Sequence, residues 1–317
     1  MFAPRSSLLL VLSTVITAGV AITASPGGPP AAAPGDEPFF DQPRWSDGRA
    51  EVNLYHAVEP RYGIDRSLDE AALIFVKEDI RSPEFVKADD PADAEIPALK
   101  LFWSVEVPTG IYTYRQQAVV LLHRRTNRVL RETFASSEWC GNTFKDLRIM
   151  PREDGAPETP AWRYRYSSYF EGEADGEVLV AGDREAILND AMPAWVRTLP
   201  AEAGTRRIVL LPTLWSNPAR PEDMRPVTAT VDVSGPKTVE VPFGTLSAWR
   251  VEVRRPDVEP EVYHVSDDRD RRLVRMQLTG DRRYELRRSA RIDYWNHSRP
   301  EGRSLRFGSG PDDTVAP

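Results

Sequence analysis

The stretch Leu99-Lys100-Leu101-Phe102-Trp103-Ser104-Val105-Glu106-Val107 decides the fold class. Leu99, Leu101, Trp103, Val105 and Val107 alternate with Lys100, Ser104 and Glu106, with Phe102 the one exception. Every second side chain of an extended strand lies on one face, so this period predicts one dry and one wet face. The pattern recurs in Trp162, Tyr164, Tyr166, Ser168 and Phe170, and in Val227, Ala229, Val231 and Val233. It recurs again in Tyr284, Leu286, Ala290, Ile292 and Tyr294, where Arg288 interrupts the apolar face. Such alternation belongs to antiparallel sheets, whereas strands of a parallel sheet read as continuous apolar runs. Ser234-Gly235-Pro236-Lys237, Asp267-Asp268-Arg269-Asp270 and Thr279-Gly280-Asp281-Arg282 fall between such runs and read as hairpin turns.

One segment departs from period two. Asp183 can cap a helix whose apolar positions Ile187, Leu188, Ala191, Trp195 and Leu199 recur mainly at intervals of three and four, with Pro193 kinking or restarting it. A single amphipathic helix among many strands buries its stripe most simply on the concave face of a curved sheet. The expected fold is mainly β: an antiparallel β-barrel or open half-barrel with one amphipathic helix packed against the interior.

The ends read differently. Residues 1–24 combine a basic start at Arg5 with an uncharged apolar run from Leu8 to Ala24, the pattern of a secretory signal peptide. Residues 25–44 are rich in Pro, Gly and Ala and read as a disordered tether. Residues 45–297 form a single β-rich domain, and 298–317 a polar, disordered tail. The expected location is therefore outside the cytoplasm, periplasmic or extracellular. With 48 acidic against 41 basic residues and no concentrated basic patch, a nucleic-acid partner is not expected. A chain of 317 residues with one cysteine, Cys140, builds its core without disulfides.

Little in the sequence carries chemistry outright. His56, His123, His264 and His297 form no zinc-type spacing with Cys140, and neither a phosphate loop nor a nucleophile elbow is present. No catalytic residue, metal or cofactor is assigned. Free cysteine is among the most buried residue types, so burial is the default for Cys140, with a nucleophile or a redox contact as alternatives. Tyr112 and Tyr114 on one strand, and Trp162, Tyr164, Tyr166 and Phe170 on another, either line a ligand cavity or fill the core.

Arg61-Tyr62-Gly63, Leu73 through Asp79, Leu99-Lys100-Leu101, Thr109-Gly110-Ile111-Tyr112 and Glu138-Trp139-Cys140-Gly141 resemble a family of uncharacterised exported bacterial proteins and lipoproteins, some labelled septum formation inhibitor Maf. The resemblance spans roughly Trp45 to Trp215 and is most specific at Glu-Trp-Cys-Gly, which adds Glu138 and Cys140 to the candidate site. Asn142 stands where the family pattern has His or Gln, and the lipoprotein cysteine is absent. Maf proteins proper are cytoplasmic nucleotide pyrophosphatases of α/β fold, an activity not expected of an exported antiparallel β chain. Val241-Pro242-Phe243-Gly244-Thr245 with Ala248-Trp249-Arg250-Val251 is similar to periplasmic domains expected to form open β-barrels. The leading expectation is an apolar or amphiphilic ligand. The alternatives are an envelope scaffold with a filled core that binds a protein partner, and a thiol-dependent enzyme using Cys140.

Overall fold

The computed structural model describes residues 37–150, 161–182, 184–215, 224–299 and 302. The expected signal peptide, most of the tether, Asp183 and most of the tail lie outside them. The strands are β1 (Ala50–Arg61), β2 (Ile64–Arg81), β3 (Val86–Lys87), β4 (Ile96–Pro108), β5 (Thr113–His123), β6 (Val129–Glu138), β7 (Gly141–Ile149), β8 (Trp162–Ser168) and β9 (Asp175–Val180). They continue as β10 (Ile187–Leu188), β11 (Gly204–Leu211), β12 (Val227–Val241), β13 (Gly244–Arg255), β14 (Val258–Ser266), β15 (Leu273–Leu278) and β16 (Arg282–Ile292). All belong to one sheet, ordered β10-β11-β12-β13-β14-β15-β16-β1-β2-β4-β5-β6-β7-β8-β9, with β3 paired to β2. Two meanders thus join at a seam where β16 pairs antiparallel with β1. The path keeps two free ends, β9 and β10, so the sheet is an open half-barrel and not a closed barrel.

The alternation in sequence becomes alternation of burial. Leu99, Leu101, Trp103, Val105 and Val107 are buried on the concave face of β4, while Lys100, Ser104 and Glu106 face outward. The expected turn at Ser234–Lys237 is instead a bulge inside β12: Ser234 pairs with Arg250 and Lys237 with Ala248, leaving Gly235 and Pro236 opposite Trp249. Pro236 has no N–H for the ladder and Gly235 sits at φ 122°, so the pair is extruded while pairing continues on both sides. The hairpin closes later, at Pro242-Phe243.

The helix is shorter than its sequence period suggests. Ile187 and Leu188 form β10, the one parallel partner among the described residues, against Leu210 and Leu211. Only Asn189–Thr198 is helical, as a 3-10 turn, α1 (Met192–Trp195) and a second 3-10 turn. Pro193 occupies the first turn of α1, where its missing N–H costs nothing. Asn189 through Arg197 are buried, so this segment fills the concavity. Phe39 and Phe40, in the stretch read as tether, are also buried, packed on Trp45 and Phe75. Trp103 meets Trp215 at 5.0 Å and Tyr284 at 5.4 Å, and Phe134 meets Trp215 at 5.2 Å, so one aromatic column links the two meanders.

Several ionisable side chains are buried inside, and two pairs of them join the helical segment to the sheet. Arg197, with no exposed surface, pairs with Glu51 (Nη1 to Oε1 2.8 Å), and its Nη2 donates to Oε2 at 3.0 Å. Its guanidinium lies 4.5 Å from the Phe75 ring centre and 5.3 Å from that of Phe39. Glu132 is fully buried and faces Asp190, which accepts from Thr213 Oγ1 at 2.5 Å and from the Leu214 N–H at 2.6 Å. Burial first, then the adjacent Asp190 carboxyl, hold the Glu132 carboxyl well above its ordinary range.

Replacing Arg197 by Met leaves buried Glu51 with Asn53 and the partly exposed Arg44 as its partners and should cost about 3 kcal/mol. Urea unfolding should show the Glu51→Gln/Arg197→Met double variant losing less than the two single losses combined; simple additivity would refute the coupling. For Glu132 the sign is opposite to that of a salt-bridged acid. A carboxyl whose pKa is raised by folding contributes stability below its unfolded value, here 4.5, and loses it as pH rises through the folded value. Glu132→Gln should match or exceed the native melting temperature at neutral and alkaline pH, the gain shrinking toward pH 4. A native-like pH profile in the variant would contradict a neutral Glu132.

Candidate functional site

Four hairpin turns, β1–β2, β4–β5, β6–β7 and β8–β9, emerge at the same end of the sheet because their strands are successive antiparallel neighbours. Each tip carries a large apolar side chain turned to solvent. Tyr62 is 68% exposed, Ile111 83%, Trp139 74% and Tyr169 76%. Neighbouring tips are two strands apart, about 10 Å, so the row is about 30 Å long. The turns at this end of the other meander, Pro256–Asp257 and Thr279–Asp281, hold no aromatic ring.

Local sequence builds each tip. Tyr62 and Gly63 are both left-handed, at φ 54° and 71°, the two-residue turn whose twist suits a tight hairpin. Between β4 and β5, Thr109 N–H and Oγ1 both donate to the Tyr112 carbonyl, at 2.9 and 3.0 Å, closing the loop that presents Ile111. Trp139 and Cys140 form the turn between the paired residues Glu138 and Gly141. The glycine of that motif has a steric reason: a Cβ on Gly141 would lie 2.4 Å from Cδ1 of Tyr169, whose ring covers it.

Beneath the tips lies a polar aromatic tier. The Tyr112 ring stacks on Trp139 at 5.8 Å and meets Tyr114 at 5.7 Å. Tyr62 and Tyr114 hydroxyls are hydrogen-bonded, and the Arg61 guanidinium lies 4.8 Å from the Tyr114 ring centre. Burial, and then the neighbouring Glu138 carboxyl and the Tyr62 and Tyr112 hydroxyls, push the Tyr114 phenol up. Glu138 Oε2 is shielded from solvent without a hydrogen-bond partner. Further in, Gln116 donates to Ser136 at 3.3 Å, and Thr143 and Ser168 hydroxyls lie 3.1 Å apart. Beyond the apolar packing and buried charge pairs beside α1, the concave surface therefore becomes polar and phenolic at the open end.

The expected site residues divide by depth. Trp162 and Tyr164 are buried core, Tyr166 is partly exposed and stacked on Tyr164 at 5.4 Å, and Gly176 opposite leaves the space its ring needs. Tyr112, Tyr114, Glu138, Cys140 and Phe170 gather at the open end, Phe170 against Tyr169 at 6.0 Å. Cys140 is exposed, which corrects the expectation of burial: a two-residue turn has no interior side on which to place it. None of the four histidines sits on these turns. His123 ends β5 at its far end, His56 and His264 lie within β1 and β14, and His297 follows β16, so no imidazole is placed to activate the thiol. Among the described residues no cluster of three or more His, Cys, Asp or Glu is placed to hold a metal ion.

The sequence reading did not select Tyr62, Ile111, Trp139 and Tyr169 as site residues, nor Arg61. The available signal was a bulky apolar residue at the tip of a tight turn, where Gly, Asn, Asp and Ser are the norm. Gly141→Ala should cost about 1 to 3 kcal/mol through the forced overlap with Tyr169. Most of that loss should disappear in a Tyr169→Ala background, as read by thermal unfolding; an equal loss in both backgrounds would exclude the contact as the cause. Comparison with protein-family models, with curated proteins and with solved structures returns no match, so the function is argued from this geometry.

Proposed function

We propose that the protein is an exported binding protein of the cell envelope that holds an amphiphilic molecule at the open end of its half-barrel. The observation that carries the reading is the pairing of two layers. A row of exposed rings, Tyr62, Trp139 and Tyr169 with Ile111, stands directly over a polar tier of Arg61, Tyr112, Tyr114 and Glu138. Tyrosine and tryptophan offer a large apolar face and a polar tip, which suits the boundary between hydrocarbon and headgroup. The phenols and Glu138 accept or donate hydrogen bonds to a polar headgroup, and Arg61 supplies positive charge. Export is supported by the basic start and apolar run of residues 1–24.

One observation favours a second reading, an envelope scaffold that uses the same rings on a protein partner. The deeper concavity is occupied by α1, Trp162 and Tyr164, which leaves the ligand the outer tier alone. The two readings differ in their response to a soluble amphiphile. Titration with monomeric dodecylphosphocholine should quench or shift tryptophan fluorescence, and Trp139→Ala and Tyr62→Ala should each cost about 1 kcal/mol, about fivefold in Kd, by calorimetry. Leu179→Ala, an exposed leucine on β9, should leave affinity unchanged. Absence of saturable binding, or equal affinity in all three variants, would transfer the rim to the scaffold reading.

A further inference from the structure

The convex face of a half-barrel is expected to be polar, yet at the seam it carries an apolar ladder. Ala290 of β16 pairs with Val52 of β1, Val52 with Ile74 of β2, Ile74 with Phe102 of β4, and Phe102 with Val119 of β5. Five apolar residues thus stand in line across five strands, about 19 Å at ordinary strand spacing. Leu54, Ala72 and Ile292 extend the strip, and a groove of about 890 Å³ runs over it, walled on one side by Tyr294, His297 and Arg299. Two carboxylates, Glu70 and Glu106, and the guanidinium of Arg288 also line it. Gly302 is itself part of the groove wall.

We propose that this groove is the docking site of the chain's own segment Arg303-Ser304-Leu305-Arg306-Phe307. Two features select that occupant over a foreign one. The chain passes Gly302 inside the groove, and five extended residues reach about 17 Å, enough to cross most of the ladder. The segment also has complementary chemistry: Leu305 and Phe307 share one face of an extended chain and match the apolar ladder, while Arg306 falls on the opposite, solvent-facing side. A docked segment removes from water an apolar strip whose exposure would otherwise favour association of copies. It also staples the seam, because the ladder spans β16 and β1 from opposite ends of the domain.

Disulfide trapping in the full chain tests this, with Cys140→Ser removing the native thiol. Ala72→Cys combined with Leu305→Cys should oxidise to an intramolecular disulfide, seen by mass and by altered mobility. The control, Thr228→Cys on the convex face of β12 with Leu305→Cys, has only the effective concentration of a loose tether, so the docked pair should exceed it by roughly tenfold in rate. Leu305→Asp/Phe307→Asp introduced beside the docked pair should bring its rate down to the control. Equal rates for docked pair and control would overturn the proposal. A predominantly intermolecular disulfide would also overturn it and assign the groove to a second copy.

Discussion

The contact between Arg197 and Glu51 is the constraint on which this open sheet depends. A closed barrel holds its shape through continuous pairing, whereas this sheet ends at β9 and β10 and must be held from inside. Arg197 comes from the end of the helical plug, Glu51 from β1, and Arg197 also donates to the carbonyls of Asp270 and Arg271 in the β14–β15 loop, at 2.9 and 2.8 Å. Arg271 returns the contact to the Arg197 and Leu199 carbonyls, both at 2.5 Å, closing the helical segment's C-terminal end. Burial opposes ionisation of Glu51, but the Arg197 charge and hydrogen bonds, with Asn53 and Arg44, hold its carboxyl below the ordinary value. Phe39, Phe40, Trp45 and Phe75 enclose the guanidinium, so the pair gains cation–π contact while water is excluded. A buried pair of this kind gains little net stability over apolar packing, but it penalises every arrangement in which its two halves are apart.

That internal tie fixes where a ligand could go. The plug fills the concavity beside β5 and β14, and the Trp103, Trp215, Tyr284 and Phe134 column fills the middle. Polar inward side chains then begin at Gln116, Ser136 and Thr143 and end at Tyr114 and Glu138, toward the turns. The same period-two rule produces both zones, because each inward position of β5, β6 and β7 belongs to one register. Apart from the buried charges at Glu51, Glu132, Lys145 and Arg197, the apolar inward residues pack at one end and the hydrogen-bonding ones stand at the other. The exposed rings at the tips are anchored by short turns and by packing of Tyr169 on Gly141, which lets them remain outside without collapsing onto the sheet.

The sheet was legible because period two survives burial; the irregularities were legible only as anomalies. Phe102 breaks the alternation of its strand and Arg288 interrupts that of β16, and both belong to the convex groove. The cause at Arg288 is a register shift: Leu54 pairs with Arg288 but Tyr55 with Leu286, so Arg287 is extra and the inward face passes from Tyr284 and Leu286 to the opposite parity. A sequence pattern cannot separate a bulge from a turn at Ser234–Lys237, since both are written in Gly and Pro; only the partner strand decides. The helix was overextended because Ile187 and Leu188 satisfy a three-four spacing as readily as a short buried strand. Of the site, the inward tyrosines followed from alternation, while the rim did not, because which turns share an end depends on strand order.

The seam explains why so much special chemistry sits in one region. β16 and β1 are paired across the whole domain, and their outermost tie, Arg291 to both oxygens of Asp47 at 2.6 and 2.8 Å, joins residues 244 apart in sequence. Each meander closes by local hairpins, whereas the seam must repay a much larger loop-closure entropy before any contact rewards it. Backbone pairing alone would leave that junction as the weakest line in the sheet. The structure places there the Arg44 and Arg197 pairs with Glu51, the Arg291 pair with Asp47 and, on the opposite face, the Val52–Ala290 apolar ladder. The inward charges select the correct partner and the outward apolar strip adds non-directional burial, so the two faces of one strand pair meet the entropic cost in complementary ways.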